Sequence, residues 1–123
     1  MSKFVIRPVP TGVKFDLKAV NGQIIATSEV YDSVSACRKG IESVKRNAAT
    51  AKTEDQTESG YQSLSNPKFT LFMDKGGEFR FRLTARNGKI IAVSESYSTK
   101  AACENGIASV QKNAPDAEIT EDP

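Results

Sequence analysis

Phe15–Ala48 reads FDLKAVNGQIIATSEVYDSVSACRKGIESVKRNA, and Phe81–Ala114 reads FRLTARNGKIIAVSESYSTKAACENGIASVQKNA. The second string is the first displaced by 66 residues without a gap, and 19 of the 34 positions are identical. One chain therefore holds two copies of one structural unit. Positions that agree are those the unit needs, and positions that differ are free. A unit of roughly 50 residues buries too little surface to offset its own ordering entropy. The two copies are expected to share one core.

In the first copy Val13, Phe15, Leu17 and Ala19 alternate with Lys14, Asp16, Lys18 and Val20; in the second Phe79, Phe81, Leu83 and Ala85 alternate with Arg80, Arg82, Thr84 and Arg86. A period of two marks a strand with one buried face. Asn21-Gly22 and Asn87-Gly88 follow, a pair suited to a two-residue type I′ hairpin turn because both positions need positive φ. The next strands then lie in Gln23–Ser28 and Lys89–Ser94. This register places Phe15, Leu17, Ala19, Ile24, Ala26 and Ser28 on one face, and their counterparts 66 residues on are all identical. The other face carries Asp16, Lys18, Val20, Gln23, Ile25 and Thr27 against Arg82, Thr84, Arg86, Lys89, Ile91 and Val93, and only the isoleucine repeats. The first face is predicted to be core and the second open to solvent.

Ser33 and Thr99 are suited to cap helices that run to about Asn47 and Asn113, where Asn tolerates the left-handed conformation that closes a helix. At about 100° per residue the identical positions gather on half the circumference, with Cys37, Ile41, Val44 and Ala48 as the inward stripe. Glycine inside a helix costs about 1 kcal/mol relative to alanine. Its recurrence at Gly40 and Gly106 predicts that the helix backbone lies very close to the sheet or to the other helix. Phe4–Ile6 and Phe69–Phe72 read as first strands, and Ala51–Asp55 and Ala117–Glu121 as short candidates for final ones. Gln56–Pro67 is polar and reads as a linker. The expected organisation is repeat 1 over 1–55, a polar linker over 56–67 and repeat 2 over 68–123, in one pseudo-symmetric globular unit. The fold class is α+β: two tandem β-β-β-α-β repeats forming one shared antiparallel sheet with both helices on one face.

The string Asn21-Gly22, Ile24 to Ala26, Ser28-Glu29, Tyr31, Gly40-Ile41, Ser43-Val44 and Asn47-Ala48, recurring from Asn87-Gly88 to Asn113-Ala114, resembles the YegP-like family of small, mostly bacterial proteins. The resemblance covers most of the chain outside the linker. It implies units of three strands, a helix and a fourth strand, with the C-terminal strands exchanged between repeats to complete one continuous sheet. It brings a fold and no catalytic residues.

Composition narrows the chemistry. The net charge is +2, with eight Lys/Arg against four Asp/Glu in residues 1–48 and a slight acidic excess elsewhere. That is not the dense basic footprint of a dedicated nucleic-acid binder. The chain has no histidine, so Ser-His and Cys-His mechanisms and His-containing zinc sites are excluded. Cys37 and Cys103, equivalent and on apolar helix faces, read as buried reduced thiols, with a mutual disulfide or a reactive thiol as the alternatives. The start MSKFVIRPVP has no apolar core of a signal segment, so the chain reads as soluble and cytoplasmic with no membrane partner.

Ser28, Glu29 and Tyr31 recur as Ser94, Glu95 and Tyr97, and a carboxylate just ahead of a helix N-terminus is favoured by the dipole. These are read as structural. The surface that invites a binding role is the open sheet face, with Lys14, Lys18, Arg80, Arg82, Arg86 and Lys89 as candidate residues and Phe72 beside them. Arginine next to an aromatic on a sheet is how some domains hold single-stranded RNA, although Asp16 interrupts the set. The outer face of helix 1, with Arg38, Lys39, Lys45 and Arg46 beside Glu42, reads as solvated, with docking of an acidic partner as the alternative. Lys75-Gly76-Gly77-Glu78 reads as a hairpin turn rather than a phosphate-binding loop. The expectation is a non-catalytic accessory or interaction module with an unidentified protein partner, monomeric with an internal pseudo-two-fold axis. No enzyme activity, cofactor or metal is expected. Single-stranded nucleic-acid binding through the open face is the alternative.

Overall fold

The computed structural model describes residues 2–122. In chain order the elements are β1 (Lys3–Val9), β2 (Gly12–Lys18), β3 (Ile24–Thr27), α1 (Val34–Thr50), β4 (Lys52–Asp55), β5 (Lys68–Met73), β6 (Phe79–Thr84), β7 (Ile90–Val93), α2 (Lys100–Asn113) and β8 (Glu118–Glu121), with a 3-10 turn at Ala114–Asp116. Eight strands form one sheet in the order β4-β5-β6-β7-β3-β2-β1-β8. The exchange is explicit. The last strand of the first half, β4, lies on β5 of the second, and β8 lies on β1. The halves also meet at the centre, where Thr27 of β3 faces Val93 of β7.

The sheet is mixed rather than antiparallel throughout, because both exchanged strands run parallel to their neighbours. The helix path explains this. Tyr31 is bridged to Val13 at the start of β2, so α1 begins over the first half. It crosses to the second half, and the chain re-enters the sheet with Lys52 opposite Lys68, the first residue of β5. Two strands that begin at the same end of a sheet are parallel, and the segment 56–67 between β4 and β5 is long enough to return the chain to that end.

Both helices pack on the face that carries Phe15, Leu17, Phe81 and Leu83. Helix α1 buries Cys37, Gly40, Ile41, Val44 and Ala48, the stripe read from the sequence, and α2 buries Cys103, Gly106, Ile107 and Val110. Four phenylalanines anchor the core in two equivalent edge-to-face pairs. Phe4 and Phe15 have centroids 5.6 Å apart, and Phe69 and Phe81 are 6.0 Å apart. The N-caps are as expected, since the hydroxyls of Ser33 and Thr99 accept from the Ala36 and Ala102 amides at 3.1 Å.

Three local readings change. First, the Asn-Gly turns are not type I′. Among the described residues no non-glycine has positive φ, while Gly22 and Gly88 have φ of 84° and 88°. Gly22 N donates to Ala19 O and Ala19 N to Gln23 O, which makes a type I turn closed by a left-handed glycine bulge, and Ala85–Lys89 repeats it. The Asn21 and Asn87 side chains accept from the amides of Gln23 and Lys89, both at 3.0 Å, so Asn serves through its carbonyl and not through φ.

Second, a bulge shifts the register between Leu17 and Lys18, so that Leu17 faces Ala26 while Lys18 faces Ile24. Ile25 and Ala26 both turn inward, and Ile24 moves to the open face. Ile25 is 8% exposed against 38% for Ile24, and Ile91 is likewise buried. The repeated isoleucine that looked out of place on the open face belongs to the core. Third, α1 continues past Asn47 to Thr50 in right-handed conformation. Asn47 Nδ2 donates to Ser43 O and Oγ, and Asn113 does the same to Ser109.

Candidate functional site

The repeated polar residues are the natural place to look for chemistry. Ser28 Oγ accepts from the buried amide of Phe15 at 2.9 Å and donates to Glu29 O, and Ser94 does the same for Phe81 and Glu95. Without that hydroxyl a buried N–H would have no partner. Tyr31 and Tyr97 lie half-buried against Phe15 and Phe81, with centroids 6.3 Å apart in both cases. Each hydroxyl end rests on a helix glycine. A Cβ built on Gly40 would overlap the Tyr31 hydroxyl and come within 2.6 Å of its Cζ; Gly106 stands in the same relation to Tyr97. The close contact foreseen for these glycines is therefore first with a tyrosine ring, and at Gly106 also with the sheet, where Phe81 of β6 lies 3.0 Å from the built Cβ. Burial raises both phenols above the ordinary tyrosine range. Cys37 and Cys103 are fully buried free thiols, and loss of hydration pushes both up to about 11, far from a reactive thiolate. Glu29 and Glu95 are exposed.

The candidate surface residues divide into two sets. Lys14 and Lys18 on β2, and Arg80 and Arg82 on β6, lie on the open face. Strands β3 and β7 separate the two pairs, a gap of about 14 Å at ordinary strand spacing. Thr27 and Val93 occupy that gap. Arg80 is paired with Asp74 at 2.8 Å, and the Arg82 guanidinium stacks over Phe72, 4.3 Å from its centroid, with its Nε buried and unpartnered. In the first half the equivalent of Arg82 is Asp16, buried under Arg7 at 2.7 Å and hydrogen-bonded by Thr27.

Arg86 does not point with Arg80 and Arg82, because β6 ends at Thr84 and Arg86 lies in the turn. Its amide donates to Asn47 Oδ1 at 3.2 Å, which seats the turn against the end of α1. Lys89 follows the same turn and is exposed. The six residues thus do not form one patch.

What sequence reading missed is a groove on the helix side. It has a volume of about 500 Å3, bounded by Ser43, Arg46, Asn47 and Thr50 of α1 and by Ala85, Arg86 and Asn87 of the turn. A smaller hollow of about 290 Å3 continues from Thr50 and Arg86 to Lys52 and the linker at Leu64–Pro67. Residues 56–67 are tied down at this edge. Glu54, 2% exposed, accepts from Lys68 Nζ, from Leu64 N and from Gln56. Those bonds, the one from Lys68 first, hold its carboxyl at about 2. The repeated Asn47 was the available signal for the groove, but its partner lies 39 residues away.

No group of three or more His, Cys, Asp or Glu side chains gathers as a metal site among the described residues, and no described helix is long and apolar enough to cross a membrane.

An eight-stranded sheet built from a duplicated unit with exchanged edge strands defines a class of internally paired α+β proteins. Residues 12–55 and 74–121 match the family described as Domain of unknown function (DUF1508), and the chain belongs to that family. It is similar to the UPF0339 protein of the ptx operon 5′ region of Stutzerimonas stutzeri, 37% identical over 108 residues that span 88% of this chain and 84% of that one. A UPF0339 protein of Treponema denticola is 57% identical over only 54 residues, which make up 93% of its length and 44% of this chain, so a relative the size of one repeat exists. The fold is similar to the solution structure of yegP from E. coli, described as a protein of unknown function: TM-score 0.78 at 32% identity, covering 98% of this chain and 92% of that one.

Proposed function

We propose that this chain is a non-catalytic interaction module, a scaffold whose repeated residues maintain the fold and whose diverged surface residues engage a partner. One observation carries the reading. The repeated serines, asparagines, tyrosines and cysteines are engaged in the scaffold: Ser28 and Ser94 satisfy buried amides, Asn47 and Asn113 brace the helices, Tyr31 and Tyr97 fill the space over the helix glycines, and the thiols are buried. Glu29 and Glu95 are the repeated carboxylates left exposed, and a lone carboxylate with neither a histidine nor a paired acid beside it makes a poor catalytic site. The residues that differ between the halves are instead largely charged and solvent-facing, Asp16 apart, the composition of a surface that selects partners through complementarity.

The test is capture of partners from lysate on immobilised protein, with and without nuclease. The expected result is a specific protein retained in both arms. Retention abolished by nuclease would replace this reading with nucleic-acid binding, and turnover of a substrate by the purified chain would overturn it.

A further inference from the structure

From the groove between α1 and the 85–88 turn, we infer a binding site for a small phosphorylated ligand, held by Arg46, Arg86 and Lys52. This goes beyond the interaction-module reading and stands on separate observations.

The first is unbalanced charge. Arg46, Lys52 and Arg86 line the groove and its extension, and neither lining contains an acidic residue. Among the described residues none of the three makes an ion pair, although Arg7, Arg38, Lys68, Arg80 and Lys100 all do. Glu42, one turn before Arg46, shares a hollow on the outer helix face with Arg38, Lys39 and Arg46, yet among the described residues it makes no ion pair with Arg46 or Arg86. Two arginines lining one hollow suit the oxygens of a phosphate, which guanidinium groups can grip through paired N–H donors.

The second is preorganisation. The Arg86 amide is fixed on Asn47 Oδ1, and Asn47 is itself fixed by Ser43. Asn87 closes its own turn on the Lys89 amide. The end of α1 would ordinarily repel an anion. Here the carbonyls of Ala48 and Ala51 accept from Gln111 and that of Asn47 from the Ala51 amide, so these do not face the groove unpaired.

The third is an internal control. The equivalent groove of the other half is lined by Ala19, Val20, Asn21, Asn105, Ala108, Ser109, Lys112 and Asn113. Its frame is the same: Ala19 for Ala85, Asn21 for Asn87, Ser109 for Ser43, Asn113 for Asn47. Its charge is lower: Lys112 keeps the cation of Arg46, but Val20 stands for Arg86, and Glu118 occupies the position of Lys52. One frame thus carries a cationic groove and a nearly neutral one. A focal set of cations in a hollow of this size suits a compact, multiply charged ligand better than a polymer, which needs a track.

The test is an amide-resolved NMR titration with pyrophosphate as the probe at low salt. Saturable shifts at Arg46, Asn47, Lys52 and Arg86–Lys89 are expected. Arg86→Val, which copies the residue of the sibling turn and so keeps the fold, should weaken binding at least tenfold. Val20→Arg with Glu118→Lys should create a second set of shifts at Asn21, Lys112 and Asn113. Shifts spread evenly over Lys14, Lys18, Arg80 and Arg82, or unaffected by Arg86→Val, would overturn the proposal. A short oligothymidylate that binds more tightly than pyrophosphate and shifts the open face would also overturn it. The lysate capture stands or falls separately, because the Arg86→Val protein can be immobilised and should retain the same protein partner.

Discussion

The two halves of this molecule share an alignment but not an inventory. At Ser28 and Ser94 and at Gly40 and Gly106 the residue and its task are both kept, as is the brace of Asn47 and Asn113 onto Ser43 and Ser109. At Lys45 and Gln111 only the task is kept. Lys45 donates to Ala117 O at 3.0 Å, and Gln111 donates to Ala51 O at 3.0 Å, so each helix reaches the same carbonyl of the opposite half with a different side chain. At Asp16 and Arg82 neither is kept. Identity therefore marks places where one side chain alone fits the geometry. Difference marks either an exposed position or a task that several side chains can perform.

The strongest way to break the pairing is at the helix glycines. A side chain at Gly106 would meet both Tyr97 and Phe81, the latter at 3.0 Å from the Cβ, whereas at Gly40 the three nearest atoms all belong to Tyr31. Tyr97 can shift at its end, but Phe81 is fully in the core. Gly106→Leu should cost about 2–4 kcal/mol and Gly40→Leu somewhat less, after the helix-propensity gain of about 1 kcal/mol. Urea denaturation measures both. The cause is separable by a double-mutant cycle: Gly40→Ala should destabilise the native chain yet be neutral or stabilising on a Tyr31→Ala background, where the space is vacated. Additive effects would show that the tyrosine is not the neighbour that matters.

A second asymmetry is the linker, which is anchored at only one edge of the sheet. Glu54 gathers Lys68, Gln56 and the Leu64 amide, while its counterpart Thr120 only reaches Phe4 O at 3.4 Å. The Glu54 carboxyl is held down from 4.5 to about 2, so its ionised form stabilises the fold above about pH 4.5. That contribution falls away as the pH drops through 4.5 towards 2. Glu54→Gln should cost about 2 kcal/mol at neutral pH, and the gap from the parent should close on acidification. A gap independent of pH between 7 and about 3 would show that the charge of Glu54 is not what anchors the segment.

Much of this was legible in the sequence because the duplication doubles the signal. The identical strand face, the caps at Ser33 and Thr99 and the inward helix stripe follow from periodicity and local chemistry. The turn type did not follow, since Asn-Gly suits both a two-residue loop and a left-handed glycine bulge, and the choice rests on whether Ala19 joins the turn. The bulge at Ile24–Ala26 was hidden because three consecutive apolar residues carry no alternation, although the repeated Ile25 was a clue. The groove at Arg86 was illegible for another reason. It depends on where α1 ends after crossing the sheet, a long-range property that no local pattern encodes.

The serines test whether equal residues do equal work. Ser28→Ala and Ser94→Ala each strip a buried amide, that of Phe15 or Phe81, of its partner, and each should cost about 1–2 kcal/mol. The two values should agree within about 0.5 kcal/mol, because burial and geometry match in the two halves. A larger difference, read from paired denaturant melts, would mean that the halves differ in stability where they look the same.

The smallest expected effect is at Arg82, where the halves diverge most. Removing its side chain forfeits the stack on Phe72, an interaction of about 0.5–1 kcal/mol when partly exposed, but it also removes a buried Nε that has no acceptor. The two terms oppose each other, so Arg82→Ala should change stability by no more than about 0.5 kcal/mol. Asp16→Ala, at the equivalent place, breaks two satisfied contacts, to Arg7 and Thr27, and should cost about 1 kcal/mol. Thermal melts of the two variants therefore ought to fall in that order. The reverse order would mean that the Phe72–Arg82 stack is a built feature of the open face. Arg82→Ala should then also weaken oligonucleotide binding, with a shallower salt dependence than the parent.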